Sequence, residues 1–167
     1  PDGLAGSPED LNELLEAQAA QYPAVSALAL ADGEGRVVAC SDRSVVGIQL
    51  ADRGYFREAM AAGPDRWVIS DLLVSRRTGG AEVIVARAVY REGRPIGIIL
   101  AAVPPTRLAD AAVELQRVQG GTLLLFDRTG RPIFRSPAVE LTDAQTEAYQ
   151  EALLLSALSG REASGQF

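Results

Sequence analysis

The stretch that decides the fold is AEVIVARAVYREGRPIGIILAAV, residues 81–103. Residues 81–90 form a long run rich in β-branched side chains, the composition of a strand. Glu92-Gly93 is a turn, and residues 95–103 read as a second strand before Pro104-Pro105 closes the unit. Two long strands joined so tightly must pair antiparallel, because parallel pairing needs a crossover of a dozen residues or more.

Working outward, residues 67–72 read as a further strand and residues 75–80, SRRTGG, as a hairpin loop. Towards the N-terminus, Ser7-Pro8-Glu9-Asp10 marks a helix start: a capping hydroxyl, proline at the first helical position and acids at the positive dipole end. Leu11, Leu14, Leu15 and Ala19 then fall on one helix face, and Tyr22-Pro23 ends the helix. Residues 24–31 and 36–40 are predicted strands flanking the turn at 32–35. A loop leads to a short helix that Asp52 is expected to cap, with Phe56, Ala59 and Met60 inward and Gly63-Pro64-Asp65 as the breaker. The order is helix, two strands, short helix, three strands. It predicts an α+β fold: five antiparallel strands in one sheet with helical cover.

After Pro105, Leu108, Ala111, Ala112 and Leu115 predict a helix reaching about residue 118. The chain then repeats itself. LALADGEGRVVACS (28–41) lies over LLLFDRTGRPIFRS (123–136) without a gap, with six identities in fourteen positions. This favours a duplicated module. Residues 1–107 are therefore expected to form one module, and residues 108–167 a connecting helix with an incomplete second one.

Composition removes several function classes. The 167 residues carry 47% hydrophobic side chains, enough for a real core, and a net charge of −6. An acidic chain suits neither nucleic acid nor anionic lipid. There is no histidine, so Ser-His-Asp and Cys-His catalysis are absent, and the single Cys40 makes a poor start for a zinc site. No phosphate-binding glycine loop is found, and no cofactor or metal is expected. Cys40 reads as a small buried residue. No apolar run is long enough to cross a bilayer. The abrupt start and stop suit a soluble piece of a longer membrane protein.

A sheet with a loop and short helix across one face leaves a concave space for a small molecule. Arg53 stands at the start of that helix, and its planar fork matches a carboxylate. Tyr55 supplies a hydroxyl and a wall. Trp67 shares a strand face with Ile69 and Asp71 by alternation, and Asp71 can answer a ligand ammonium. Ser70 is a further polar candidate. Arg87 alternates with Val83, Val85 and Val89. It either snorkels to the sheet edge, the favoured reading, or enters the cavity. The plainer readings stand beside these. Arg53 can pair with Asp52, Asp65 or Asp71 and merely pin the helix. Tyr55, Phe56 and Trp67 can be packing residues. Arg76 and Arg77, at a hairpin tip, can be simply solvent-exposed.

Taken in order, Arg53, Tyr55 and Phe56, then Ser70, Thr78 and Gly79, Ala86 and Ala88, and Gly93 with Gly97 resemble the Cache family of bacterial sensor domains, double-Cache type. The match runs from about Leu11 to Leu108, and residues 123–136 are similar to the opening of that family's second module. The resemblance implies a PAS-like fold, an extracytoplasmic place in a membrane-anchored receptor (a histidine kinase, chemoreceptor or cyclic-dinucleotide enzyme) and a homodimer along the first helix. It also implies a small anionic ligand, a carboxylate or an amino acid. Members that bind amino acids resemble Y-x-x-x-x-R-x-W-Y. Here Ile48 stands at the first position and Tyr55-Phe56 replace the Trp-Tyr pair, so a simple carboxylate is the better expectation. A ligand-free dimerisation or interaction module, and a cytoplasmic PAS-like regulator, are the alternatives.

Overall fold

A computed structural model describes residues 7–107 and the backbone of two strands at 123–126 and 132–136. The chain divides into two compact units, residues 1–111 and 112–167.

In the first unit, helix α1 (Pro8–Ala19) opens with a full capping box. The Ser7 hydroxyl accepts from the Asp10 amide at 3.2 Å and the Asp10 carboxylate accepts from the Ser7 amide at 3.4 Å. Leu15 is buried, but Leu14 is exposed and Asn12 takes an inward place instead. Its amide oxygen accepts from the Cys40 backbone N–H at 2.8 Å. That satisfies a donor on an edge strand, where an open ladder would otherwise invite pairing.

Strands β1 (Ala27–Asp32), β2 (Val37–Cys40), β3 (Trp67–Ile69), β5 (Ala81–Arg91) and β6 (Arg94–Val103) lie in the order β2-β1-β6-β5-β3, and the two-residue β4 (Leu73–Val74) pairs with the start of β5. All pairings are antiparallel. The predicted five strands are thus joined by one short extra. The β5–β6 turn puts Glu92 at φ 51° and Gly93 at φ 75° between the pair Arg91↔Arg94. Two positive φ values match the twist of the flanking strands. Gly97 pairs with Asp32, and a Cβ there would stand 2.1 Å from the Ala31 carbonyl oxygen, so only glycine permits this approach.

The sheet has two distinct faces. On the inner one, Ala27, Ala29, Ala31, Ile84, Ala86, Ile98, Leu100, Ala102 and Val68 join Phe56 and Ala59 of helix α2 (Gly54–Ala61) in the main core. Burying a side chain such as Phe56 contributes about 1.5–3 kcal/mol. On the outer face, Leu15, Leu30 and Ala39 form a smaller cluster with Leu11, Leu28, Val89 and Ile99.

Local details correct three expectations. Residue Arg53, not Asp52, is the N-cap of α2, and no side chain caps it. Asp52 is instead drawn to Arg76. Strand β3 stops at Ile69 rather than at residue 72. The Ser70 hydroxyl accepts from the Ile84 amide at 2.8 Å and donates to the Asp71 carbonyl at 2.7 Å, taking over the ladder and ending the strand. Strand β1 starts at Ala27, three residues later than expected.

In the second unit, β7 (Leu123–Phe126) pairs with β8 (Pro132–Ser136). Their register is that of β1 and β2. Ala29↔Cys40, Leu30↔Ala39 and Ala31↔Val37 become Leu124↔Arg135, Leu125↔Phe134 and Phe126↔Pro132, with the irregularity at the same step. The helices expected at 108–118 and 142–158 lie outside the described residues.

Candidate functional site: a cavity on the inner sheet face

Alternation brings Ala27, Ala29 and Ala102 to neighbouring places on the inner face, where their short side chains leave space beneath the covering segment. The result is a cavity of about 70 Å³. Ile84 and Leu100 complete its floor, and Val45, Ile48 and Leu50 of the loop after β2 form a wall. Its polar groups are Arg53, Tyr55, Ser75, Arg76, Arg77 and Glu82.

Arg53 donates from Nη2 to the Val74 carbonyl at 3.1 Å. None of the ion pairs among the described residues includes it. Two of its three expected protein carboxylates are engaged otherwise: Asp52 with Arg76, and Asp65 with Arg87. Tyr55 follows on the first turn of α2 and is 7% exposed. Burial pushes its phenol up to about 12, against the pull of the Arg53 and Arg76 charges. At neutral pH it is therefore a neutral hydroxyl able to donate.

The hairpin loop 75–80 does more than project into solvent. The Ser75 hydroxyl accepts from the backbone N–H of Arg77 and of Thr78 at 3.2 and 3.3 Å, which shapes the turn. Arg76 then forks onto Asp52, with Nη1 2.8 Å from Oδ1, and also reaches the Gln49 carbonyl. The Arg76 guanidinium holds the Asp52 carboxyl below its ordinary value. Arg77 turns inward, where Nη2 donates to Glu82 Oε1 and to the Ser26 hydroxyl, both at 2.8 Å. Its Nη1 stands 3.5 Å from Asp42 Oδ2. The reading of Arg77 as solvent-exposed is thus corrected, whereas Arg76 does lie in solvent while it holds Asp52. Glu82 is 3% exposed and is a site residue that sequence reasoning missed. The signal was present, because residue 82 alternates with Ile84 and Ala86 and so puts a carboxylate on the inner face.

Of the seven candidates, the cavity gathers only Arg53 and Tyr55. Trp67 and Ile69 sit on the outer face, 57% and 59% exposed, because Val68 between them is the inward residue of β3. Arg87 pairs with Trp67 across the ladder on that same face. It donates to the Pro64 carbonyl at 2.7 Å, meets Asp65 at 3.0 Å and lies 5.6 Å from the Trp67 ring centre. Ser70 and Asp71 do not line the cavity; Ser70 is used by the backbone. Cys40 does line it, and burial pushes its thiol up, away from reactivity. Among the described residues, no cluster of acids and cysteine fit for a metal ion is found.

No family model and no curated protein matches the chain. Solved structures do. The extracellular domain assigned to the histidine kinase rpHK1S-Z16 is 25% identical, with a TM-score of 0.70 over 86% of this chain and 61% of that one. The fold is that of a Cache-type, PAS-like sensor domain. The sensor domain of the V. cholerae histidine kinase DctB shares this fold at 20% identity and TM-score 0.58, over 87% of this chain and 57% of that one. So does the ligand-binding domain of the Pseudomonas fluorescens chemoreceptor CtaA, solved with L-serine, at 16% identity and TM-score 0.60, over 85% and 61%. The chain thus spans about three fifths of the length of these sensor domains. Among its described residues, no helix is long and apolar enough to cross a membrane.

Proposed function

We propose that the first unit is the ligand-sensing module of a membrane-anchored, extracytoplasmic receptor, and that it holds a small carboxylate against Arg53. One observation carries this reading. A guanidinium that joins no ion pair among the described residues lines a cavity floored by alanines and backed by a buried, protonated phenol. The Arg53 fork and the Tyr55 hydroxyl together supply charge-assisted donors for one carboxylate. Size narrows the class. A water needs roughly 10–15 Å³ of such space, and the cavity offers about 70 Å³. That suits an acid of about two to four carbons. The chemoreceptor structures solved with L-serine, isoleucine and GABA support the reading, since each of those ligands carries a carboxylate.

The sensor module itself would do no chemistry, and output would lie elsewhere in the receptor. Ligand binding would draw the loop after β2 and the hairpin loop onto the sheet, a shift of population that requires unequal affinity for two states. Strand β6 supplies Leu100 and Ala102 to the cavity and runs on towards Pro105. There Arg107 Nη1 donates to the Val25 carbonyl at 2.6 Å, tying the exit of the unit to the start of β1. A change in the cavity thereby has a short path out. The matching registers of β1–β2 and β7–β8 support a duplicated module, with the second copy beginning near residue 123.

The test is a thermal-shift screen of short-chain acids on the wild type and Arg53→Ala. A ligand at a hundredfold its dissociation constant adds about 2.7 kcal/mol of stability. A stabilising acid that loses its effect in the variant is the expected result. A second reading, a ligand-free interaction module, draws on the exposed Trp67, Ile69 and Leu14. It would lead if no acid stabilised the protein and if Trp67→Ala changed its oligomeric state.

A further inference from the structure

Arg77 is the least expected polar group in the cavity, and its partners come from three separate elements. Glu82 belongs to β5, Ser26 precedes β1, and Asp42 lies in the loop after β2. The Arg77 side chain is 18% exposed and that of Glu82 only 4%. The Arg53 side chain, by contrast, makes a single hydrogen bond among the described residues, to a backbone carbonyl. The two arginines are therefore differently available. Arg53 is free to answer an incoming anion. Arg77 is already spent on the carboxylate that would otherwise attract an incoming cation.

We infer that Arg77 sets the charge class of the ligand: its guanidinium takes the place beside Glu82 that a ligand ammonium would occupy, and so restricts the cavity to acids without an amino group. This rests on the reading of Arg53 as the carboxylate anchor. The physical reason is twofold. An ammonium entering near Glu82 would have to share that carboxylate with Arg77, placing like charges side by side where water screens them poorly. Displacing Arg77 instead would break its bonds to Glu82 and Ser26 together and strip a largely buried guanidinium of the carboxylate that compensates it. Neither route is open to a single small ligand. A methyl or methylene carries no charge for Arg77 to repel and can rest on the alanine floor.

The experiment is calorimetric titration of the 167-residue chain with propionate and with L-alanine, which differ by one ammonium group. The wild type is expected to bind propionate at least about tenfold more tightly, a difference of about 1.4 kcal/mol. Arg77→Gln, which leaves Glu82 without its cation, is expected to reverse that order. Glu82→Gln tests the pair from the other side and does not depend on the first variant folding. It frees Arg77 of the nearer of its two carboxylates and leaves it only Asp42 at 3.5 Å, so malonate is expected to bind about tenfold more tightly than propionate, a preference not expected of the wild type. Wild-type binding of alanine as tight as that of propionate overturns the inference alone. So does an unchanged order in Arg77→Gln, or an unchanged malonate affinity in Glu82→Gln. Binding of neither propionate nor alanine overturns the carboxylate reading itself and this inference with it.

Discussion

The two faces of one sheet teach different lessons about where a site forms. The outer face carries the conspicuous residues: an exposed tryptophan, an isoleucine beside it and an arginine over the ring. Yet these groups satisfy one another, with Arg87 held by Pro64, Asp65 and Trp67. The inner face looks plain, with Ala27, Ala29 and Ala102 at its centre. Their small size creates the space, and the charged groups arrive from loops over the top. A site here is made by missing side-chain volume below and long-range folding above, not by a showy strand.

The harshest way to break the contrast is to disrupt the sheet that both faces share. Gly97→Val places a branched side chain where even a Cβ would meet the Ala31 carbonyl oxygen at 2.1 Å. It should cost about 3 kcal/mol or more, and urea denaturation should show both faces failing together. Next comes the contrast in packing. Ile84 is 4% exposed and Ile69 is 59% exposed. Ile84→Ala should cost about 2–5 kcal/mol, whereas Ile69→Ala should stay within about 0.5 kcal/mol of the wild type. Equal costs would mean that the outer face is covered in solution.

A third comparison sets Arg53 against Arg87. Loss of hydrogen bonds to a charged ligand is worth about 1.5–3 kcal/mol. Arg53→Ala should therefore weaken binding of a small acid by about one to two orders of magnitude, with little change in unfolding midpoint. Arg87→Ala should leave calorimetric affinity unmoved.

The smallest effect belongs to the covering loop. Asp52 is held below its ordinary value of 3.8 by Arg76, and Asp42 likewise, first by the Ser44 hydroxyl. A lowered folded value means the contribution is fully present above the unfolded value and is lost as pH falls through the folded one. Stability should thus be flat from neutrality to about pH 4 as far as these groups go, and should decline below it. Asp52→Asn should flatten part of that decline, and added salt should weaken the clasp even at pH 7, since it lies in solvent.

Much of the architecture was legible in the sequence because it is local. Ser7 and Asp10 spell a capping box, Glu92-Gly93 spells a two-residue turn, and the β-branched run before it spells a strand. The repeated hairpin was legible too, since the same turn chemistry fixes the same register. The site was only partly legible. Arg53 and Tyr55 follow from their place at a helix start. Trp67 and Ile69 went to the wrong face because alternation says which residues share a side, not which side meets the cavity. That is settled by the long-range pairing of Val68 with Ala86. Arg77 was unreadable as a cavity group for the same reason. Its partners Ser26 and Asp42 lie 51 and 35 positions away in the chain, and only the closed sheet brings them near.

The most direct test follows both faces in one titration. Ala27, Ala29 and Ala102 methyl signals report on the cavity floor, and the indole N–H of Trp67, the only tryptophan, reports on the outer face. With propionate added to the wild type, the account predicts saturable shifts of the three alanine methyls and a still indole. Shifts of the indole with silent alanines would contradict it and move the site to the other side of the sheet.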